Sequence, residues 1–337
     1  MKLLDLMREY YSVSIIGMCK NAGKTTVLNR IITEMSEEDI TFAITSIGRD
    51  GEGSDVVTGT HKPGIYVPAG TLVATAFDML KYCDVTKEIL DATGISTPVG
   101  EVIIFRALSD GSVQIAGPSL VAQLEVVREK FREFGAQKVM IDGALSRKSL
   151  CTVNLSDATV LCSGASYNKD MDIVAEDTGY ISVLLTLPVI KDEEMEKIIA
   201  TYEPRACIAV YDDGTHVQCD PKKLDQTIKN ADRKIRYIYF GGAVSDVIIK
   251  PLVMSGAAFE GITFLASDSS KYLLSRHLFD KIRAKGGEFA VMSGVNPVAV
   301  TVNPFSAYGF HFDKDAFLAA VRKEVTVLPV FNAEDMK

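Results

Sequence analysis

The amino-acid sequence predicts an α/β fold with a mostly parallel sheet, followed by a second, smaller α/β domain. From residue 13 onward, short apolar runs alternate with turns that contain glycine or aspartate and with stretches of helical spacing, which is typical of βαβ units. Most of these runs are apolar throughout, as strands buried on both faces are. With 337 residues, 47% of them hydrophobic and 24% charged, the chain has enough material for about two ordinary globular cores.

The first part of the chain contains six predicted strands, at 12–17, 41–47, 102–106, 138–141, 159–162 and 182–187. Helices are predicted between several of them. After Thr25, apolar residues recur at helical spacing at Val27, Leu28, Ile31, Ile32 and Met35. The stretch 120–134 repeats this pattern with Leu124, Val127 and Phe131.

The pattern changes near Pro188. An acidic stretch with helical character is followed by an apparent hairpin with strands at 207–211 and 216–219, which turns at Asp213-Gly214. Four further strands are predicted at 236–240, 263–266, 289–292 and 299–302. We therefore predict two domains, a larger one at 1–190 and a smaller one at 191–337.

The charge distribution argues against nucleic acid and membranes as partners. Lysine and arginine number 36 against 44 aspartates and glutamates, which gives a net charge of −8, and no basic block is present. The apolar N-terminal stretch is interrupted by Asp5, Arg8 and Glu9, and nowhere do about 18 apolar residues run without a charge. We expect a cytoplasmic protein.

The cysteines and histidines show no metal-binding spacing. The six cysteines are scattered singly, at Cys19, Cys83, Cys151, Cys162, Cys207 and Cys219. They form no C-x-x-C pair and are expected to be reduced thiols, with Cys19 and Cys162 acting as small packing residues rather than as nucleophiles. The four histidines lie far apart in the sequence, so a protein-held transition metal is not expected.

The clearest motif is Gly17-Met-Cys-Lys-Asn-Ala-Gly-Lys-Thr-Thr, which lies between a predicted strand and a predicted helix. A phosphate-binding loop requires this context, because the backbone N–H groups at the start of the helix bind a polyphosphate. Lys24 would neutralise the β- and γ-phosphates, and the Thr25 hydroxyl would bind Mg²⁺. The usual spacing places the first glycine at position 18, where this chain has Met18. We assign the phosphate contacts to Gly17, Cys19, Lys20, Asn21, Ala22, Gly23, Lys24, Thr25 and Thr26.

A second acidic group for Mg²⁺ is predicted at Asp142, directly after the apolar run 138–141. Such a carboxylate normally stands at the end of a neighbouring strand and holds the metal through water. Arg147 and Lys148 follow closely, where they would reach a γ-phosphate. The alternative is a solvent-exposed aspartate in an ordinary turn.

Asp50 is the other acidic candidate, in a polar, glycine-rich segment directly after the second strand. Ligands bind at the carboxyl ends of strands in open α/β sheets, so Asp50 would orient a water or contact the metal. The alternative is a plain surface loop.

The chain lacks a guanine-reading Asn-Lys-x-Asp motif of the proper spacing. Its nearest equivalent, Asn168-Lys-Asp-Met-Asp172, has one residue too many. We therefore expect ATP with Mg²⁺ as the ligands.

These motifs resemble the branch of P-loop NTPases that includes dethiobiotin synthetase and metallochaperone GTPases, over about residues 12–190. More narrowly, the segments IGMCKNAGKTT, TSIGRDGE and VNPVAVTVNPFSAYGF resemble the reactivase subunit found with adenosylcobalamin-dependent lysine aminomutase. That resemblance implies an ATPase that helps expel damaged cobalamin from the aminomutase. Its protein partner would be the aminomutase or a second reactivase subunit. Position 19 is cysteine rather than the lysine of dimer-forming relatives, so catalysis by a lysine reaching across a dimer is not expected.

Three functions follow from these observations. The first is a Mg²⁺-dependent ATP hydrolase that remodels or reactivates a partner enzyme, either alone or as an oligomer. The second is a small-molecule kinase or ligase whose substrate pocket is built by residues 191–337. The third is a nucleotide sensor that does not hydrolyse its ligand.

Overall fold

The structure is a computed structural model that describes residues 2–47, 64–143 and 156–333. The chain has an α/β architecture with two compact units. The first unit comprises the residues up to Ser182 together with those from Val295 onward, and the second is Val183–Gly294. In the described ranges, no helix combines the length and the apolar character needed to cross a membrane.

The first unit begins with a 3-10 helix at Leu4–Met7 and has another at Phe77–Tyr82. Its strands up to the second unit are β1 Ser12–Gly17, β2 Phe42–Ser46, β3 Ile65–Val67, β4 Leu72–Ala76, β5 Lys87–Thr97, β6 Gly100–Ala107, β7 Gly111–Val113, β8 Lys138–Asp142 and β9 Ala158–Gly164. Its helices there are α1 Lys24–Glu37, α2 Val121–Glu133 and α3 Met171–Leu185, the last of which runs into the second unit.

The remaining strands are β10 Cys207–Tyr211, β11 His216–Cys219, β12 Ile235–Phe240, β13 Val244–Ser245, β14 Thr263–Ala266, β15 Tyr272–Leu273, β16 Glu288–Val291, β17 Pro297–Asn303 and β18 Val330–Asn332. The remaining α-helices are α4 Glu193–Ala200, α5 Leu224–Lys229, α6 Asp246–Met254, α7 Arg276–Ala284 and α8 Lys314–Glu324. Two further 3-10 helices lie at Pro221–Lys223 and Ser269–Lys271.

A nine-stranded sheet forms the centre of the first unit, in the order β18-β17-β9-β1-β8-β2-β4-β6-β5. Its pairs from β18 to β4 are parallel, and only the pairs of β6 with β4 and β5 are antiparallel. Strand β1 lies inside the sheet and is buried along its whole length, including Ser12 and Ser14, as expected of a strand inside a parallel sheet. The mostly parallel sheet expected from the sequence is therefore present.

Apolar helix faces cover this sheet on both sides. Val27 and Ile31 of α1 pack into a core with Ile15 of β1. Val127 of α2 packs into a second core with Val139 of β8. Both helices lie where the 3.6-residue periodicity predicts them.

One predicted strand is wrong: residues 182–187 do not form a strand, because α3 continues to Leu185. The Ser182 hydroxyl donates to the carbonyl of Thr178 at 2.8 Å, one helical turn earlier. A short, uniformly apolar run fits a buried helix as well as a buried strand, and here the helix is formed.

The second unit holds a five-stranded sheet in the order β11-β10-β12-β14-β16. Strands β12, β14 and β16 are parallel, with α6 and α7 in the connections between them. The predicted hairpin is formed by β10 and β11, and the strands predicted near 236, 263 and 289 are confirmed.

The predicted domain limits differ from the observed units at the C-terminal side. Strand β17, predicted inside the domain 191–337, instead pairs in parallel with β9 of the first unit. Ala299, Val300 and Val302 are fully buried there, so β17 needs cover on both faces and finds it inside the large sheet. The second unit is therefore an insertion that ends at Gly294.

Candidate functional site

The candidate site lies at the carboxyl ends of the central parallel strands. In the ladders of β1, Gly17 pairs with Cys162 of β9 and Ile15 pairs with Asp142 of β8. Asp142 also pairs with Ser46 at the end of β2. The ends of four strands therefore meet at one edge, which is where open α/β sheets bind ligands.

The segment of residues 17–26, called here the 17–26 loop, leaves β1 and enters α1 by a sharp turn. The Met18 N–H donates to the carbonyl of Cys162 at 2.9 Å, which extends the ladder by one residue. Asn21 then has φ 62° and Gly23 has φ 97°, both in the left-handed region. Gly23 is the N-cap of α1 and has no side chain with which to cap it. The first N–H groups of the helix therefore open onto the loop.

Glycine at position 23 is required by a close neighbour as well as by its backbone angles. A Cβ atom at Gly23 would lie 2.9 Å from Cβ of Asn303, at the end of β17. A Cβ atom at Gly164, at the end of β9, would lie 3.3 Å from Cα of Ala22. The ends of β9 and β17 thus pack directly against the loop.

Lys24, the first residue of α1, lies back across the start of the loop. Its Cγ and Cδ atoms are 3.3 Å from the place that a Cβ on Gly17 would take. Only 9% of the residue is exposed, so its methylene stem is packed against the loop instead of extending into water. A larger residue at position 17 would displace this stem.

Asp142 ends β8 with a buried carboxylate. The residue is 7% exposed, and its carbonyl accepts a hydrogen bond from the Ile47 N–H at 3.1 Å. This burial excludes the alternative of a solvent-exposed turn aspartate. At the next position, a Cβ on Gly143 would lie 2.9 Å from the carbonyl oxygen of Ile15, so the chain leaves β8 pressed against β1.

The charges of Lys24 and Asp142 both shift the pKa of the buried Cys162 thiol. Burial raises the pKa of Cys162 to about 12, with the Lys24 ammonium opposing the rise and the Asp142 carboxylate adding to it. Burial also raises the pKa of Cys19 to about 11 against the charge of Lys24. Both thiols are therefore protonated at neutral pH, as expected of packing residues. The structure places Lys24 against Gly17 at the end of β1 and Asp142 at the end of the adjacent β8.

The other predicted residues of the loop differ in exposure. Ala22 is buried, Asn21 and Thr25 are half-buried, and Lys20 and Thr26 are exposed. Thr25 follows Lys24 in the first turn of α1. Asp50 and Arg147, together with Lys148, lie outside the described residues.

Three residues at this edge were missed by sequence reasoning. Asn303 was assigned to another domain, so nothing in the sequence placed it behind Gly23. The Ser46 hydroxyl accepts from the Gly117 N–H at 2.9 Å, and a Cβ on Gly117 would overlap the Ser46 carbonyl at 1.9 Å. The Gly-Pro pair at 117–118 was the available signal, because it marks a tight turn.

The incomplete guanine motif has a structural task instead. The side-chain oxygen of Asn168 accepts from the Asp170 N–H at 2.9 Å, and that of Asp170 accepts from the Asp172 N–H at 2.9 Å. These bonds form the turn at the beginning of α3, as Asn and Asp commonly do at helix starts.

Comparisons of this chain with protein-family models, with curated proteins and with solved structures found no match. Within the part of the chain that the structure describes, no group of three or more histidines, cysteines, aspartates and glutamates is arranged to hold a metal ion.

Proposed function

We propose that this protein binds ATP with Mg²⁺ at the 17–26 loop and hydrolyses it to remodel a protein partner. The main support is one arrangement. A loop with two residues in the left-handed region connects a buried parallel strand to a helix. Lys24 packs against Gly17 in this loop, and the buried Asp142 ends the adjacent strand.

The loop fits a polyphosphate in shape and in charge. The first N–H groups of α1 open onto it, and a helix N-terminus carries a positive partial charge. Glycine at positions 17 and 23 lets Lys24 and Asn303 pack closely against the loop. Lys24 adds a full positive charge at the same place, so a triphosphate would be bound by backbone dipoles and by one ammonium group.

Thr25 and Asp142 fit Mg²⁺ as oxygen ligands. Mg²⁺ keeps several waters and is usually bound by one or two protein groups together with substrate phosphates. The chain therefore needs no dedicated cluster of carboxylates. When bound, the metal ion would neutralise charge on the phosphates, while Asp142 holds it through water.

The preference for ATP over GTP rests on the segment 168–172. Asn168 and Asp170 already form the start of α3 through their side chains, so they are committed to the fold. Together with the irregular spacing, this argues against guanine recognition at that place.

The proposed partner is an enzyme that requires reactivation, a cobalamin-dependent aminomutase being the case that the sequence resemblance implies. The insertion Val183–Gly294 is a compact unit with its own sheet. A unit of this kind, inserted in a nucleotide-binding unit, is suited to docking a partner.

Phosphate release by the purified protein tests this proposal, measured with ATP and Mg²⁺ and with or without an extract of the native source. Stimulation by a protein fraction is expected. Stimulation by a small molecule alone would favour a kinase or ligase, and binding without turnover would favour a sensor.

The matched substitution is Lys24→Ala, compared with Lys229→Ala on the exposed surface of α5. Loss of the charge at the phosphates should lower turnover by about 10²-fold or more, as the loss of one oriented donor to a developing charge does elsewhere. The Lys229→Ala variant should keep the parent rate. Equal rates for both variants would disprove the assignment of the loop.

A further inference from the structure

Two cysteines that are separated in the sequence are direct neighbours in the second unit. Cys207 is the first residue of β10 and Cys219 is the last residue of β11. They are opposite each other in the antiparallel ladder, and their sulfur atoms are 3.4 Å apart.

This position suits a covalent link between the two side chains. Residues directly opposite in an antiparallel pair have Cα atoms about 4.5–5.5 Å apart, inside the range of about 4.4–6.8 Å that disulfides occupy. Opposite residues also project to the same face of the sheet. The two sulfur atoms can therefore meet by side-chain rotation, with the ladder kept.

The two thiols differ in access and in acidity. Cys207 is only 4% exposed, whereas Cys219 is partly exposed. The hydrogen bond between them lowers the pKa of Cys219. The same bond, together with burial, raises the pKa of Cys207. The accessible sulfur of Cys219 is thus the more easily deprotonated one, and the buried sulfur of Cys207 is its neighbour.

The surroundings of the pair lie beside the carboxyl ends of the parallel strands of this unit. Cys207 pairs with Phe240, the last residue of β12. The following residue, Gly241, donates its N–H to the Ala206 carbonyl at 2.9 Å, and a Cβ there would lie 2.3 Å from the Pro204 carbonyl oxygen. A link between Cys207 and Cys219 would therefore fasten the edge strand β11 next to these strand ends.

We propose that Cys207 and Cys219 form a reversible thiol–disulfide site. The two thiols are oxidised to a disulfide, and their two electrons pass to a low-molecular-weight disulfide of the glutathione class. The two cysteines belong to the second unit. Their proposed chemistry does not depend on the function proposed for the 17–26 loop.

The chemistry is two successive thiol–disulfide exchanges. The Cys219 thiolate attacks one sulfur of oxidised glutathione, forms a mixed disulfide and expels one glutathione thiolate. The Cys207 thiol then loses its proton and attacks the sulfur of Cys219, which expels the second glutathione thiolate. The protein loses two hydrogens, and oxidised glutathione becomes two molecules of reduced glutathione.

The test uses the whole protein, first reduced and then freed of reductant. The protein is incubated with oxidised glutathione, and its intact mass, its free thiols under denaturing conditions and its disulfide-linked peptides are measured. We expect the loss of two thiols, a mass decrease of about 2 Da and a peptide pair joining Cys207 to Cys219. Reduction should restore both thiols.

Single substitutions separate the two roles. Cys207→Ser should retain glutathione on Cys219, because the resolving sulfur is absent, and Cys219→Ser should retain both the resting mass and a reduced Cys207. The control is Cys83→Ser, because the sulfur of Cys83 contacts backbone carbonyl oxygens instead of another thiol. It lies 3.5 Å from the carbonyl oxygen of Met79 and 3.7 Å from that of Gln114. That variant should form the disulfide as the parent does.

Two results would overturn the proposal. One is a parent protein that keeps both thiols in excess oxidised glutathione. The other is a disulfide that maps to different cysteines. The parent measurements decide the matter by themselves if a variant fails to fold.

Discussion

Asp142 combines a negative charge with burial, which is unusual for an aspartate. It stands at the end of a strand, between β1 and β2 in the ladder, and its charge reaches the Cys162 thiol. Burying a carboxylate is costly unless a cation or hydrogen bonds compensate it. Under the proposed function, this carboxylate holds Mg²⁺ through water.

The substitution Asp142→Asn tests this role. It keeps the shape of the side chain and removes its charge, so turnover should lose its normal Mg²⁺ dependence, with a fall of about tenfold to a hundredfold. Nucleotide binding without Mg²⁺ should change little. The exposed Asp39→Asn is the control, since its backbone φ of 53° suits asparagine equally well. Equal loss of binding with and without the metal would remove Asp142 from the metal site.

The choice of base is a second prediction for single residues. Because the side chains of Asn168 and Asp170 form the start of α3, ATP should bind at least about tenfold more tightly than GTP, a difference of about 1.4 kcal/mol. Titration of the parent with both nucleotides measures this ratio. Equal affinities, or a preference for GTP, would contradict the assignment.

Residues that repeat a local pattern could be predicted from the sequence, and residues that meet across the fold could not. Lys24 and Asp142 could be proposed from the sequence, because Lys24 belongs to a glycine-containing motif between a strand and a helix and Asp142 directly follows a strand pattern. Asn303 was not found, because only the sheet order brings it to Gly23. The Cys207–Cys219 pair lies between these cases: a hairpin that turns at Asp213-Gly214 already places the two residues opposite each other.

At the scale of elements, the start of α1 depends on a strand from the far end of the chain. Asn303 of β17 occupies the space behind Gly23, and β17 is held in the sheet by β9. The shape of the 17–26 loop is therefore a property of several elements together.

A pair of glycine substitutions separates contact from backbone strain. Gly23→Ala and Gly135→Ala both place alanine at a φ above 90°, which costs about 1–2 kcal/mol. Gly135 has open space around it, whereas Gly23 faces Asn303 at 2.9 Å, and overpacking adds about 1–3 kcal/mol. Denaturant unfolding should show the larger loss for Gly23→Ala, together with weaker ATP binding. Similar losses at both positions would mean that Asn303 does not constrain the loop.

The helices with clear periodicity, α1 and α2, were predicted closely, and so was the hairpin of β10 and β11. The run at 182–187 was not, because a uniformly apolar stretch lacks the period that separates a helix from a strand. The membership of β17 was also missed, since a strand pattern does not identify the sheet that the strand joins.

At the scale of the whole molecule, the second unit has the chain connections of an inserted domain. The segments that enter and leave it are paired: the Val291 N–H donates to the Pro188 carbonyl at 3.0 Å, and the Ile190 N–H donates to the Val291 carbonyl at 2.8 Å. Inserted domains whose ends lie close together are commonly tolerated in a host fold.

This connection predicts the result of two deletions. Replacing residues 189–292 by a short glycine-serine linker should leave a folded protein that binds ATP with an affinity close to the parent's, without stimulation by a partner. Ending the chain after residue 190 should prevent folding, because β17 and β18 are then missing from the sheet. Circular dichroism and ATP titration measure both variants. A folded, ATP-binding fragment 1–190 would contradict this account.

The support of Gly23 by Asn303 also sets the order in which the protein matures during synthesis. Residues 17–26 leave the ribosome before Asn303, which packs against Gly23, because the whole second unit Val183–Gly294 is synthesised between them. Contacts between such distant positions form late and slow the folding of a chain. A nascent chain therefore carries the complete loop sequence before β17 can support it, and, under the proposed function, chains that end before Asn303 should not consume ATP.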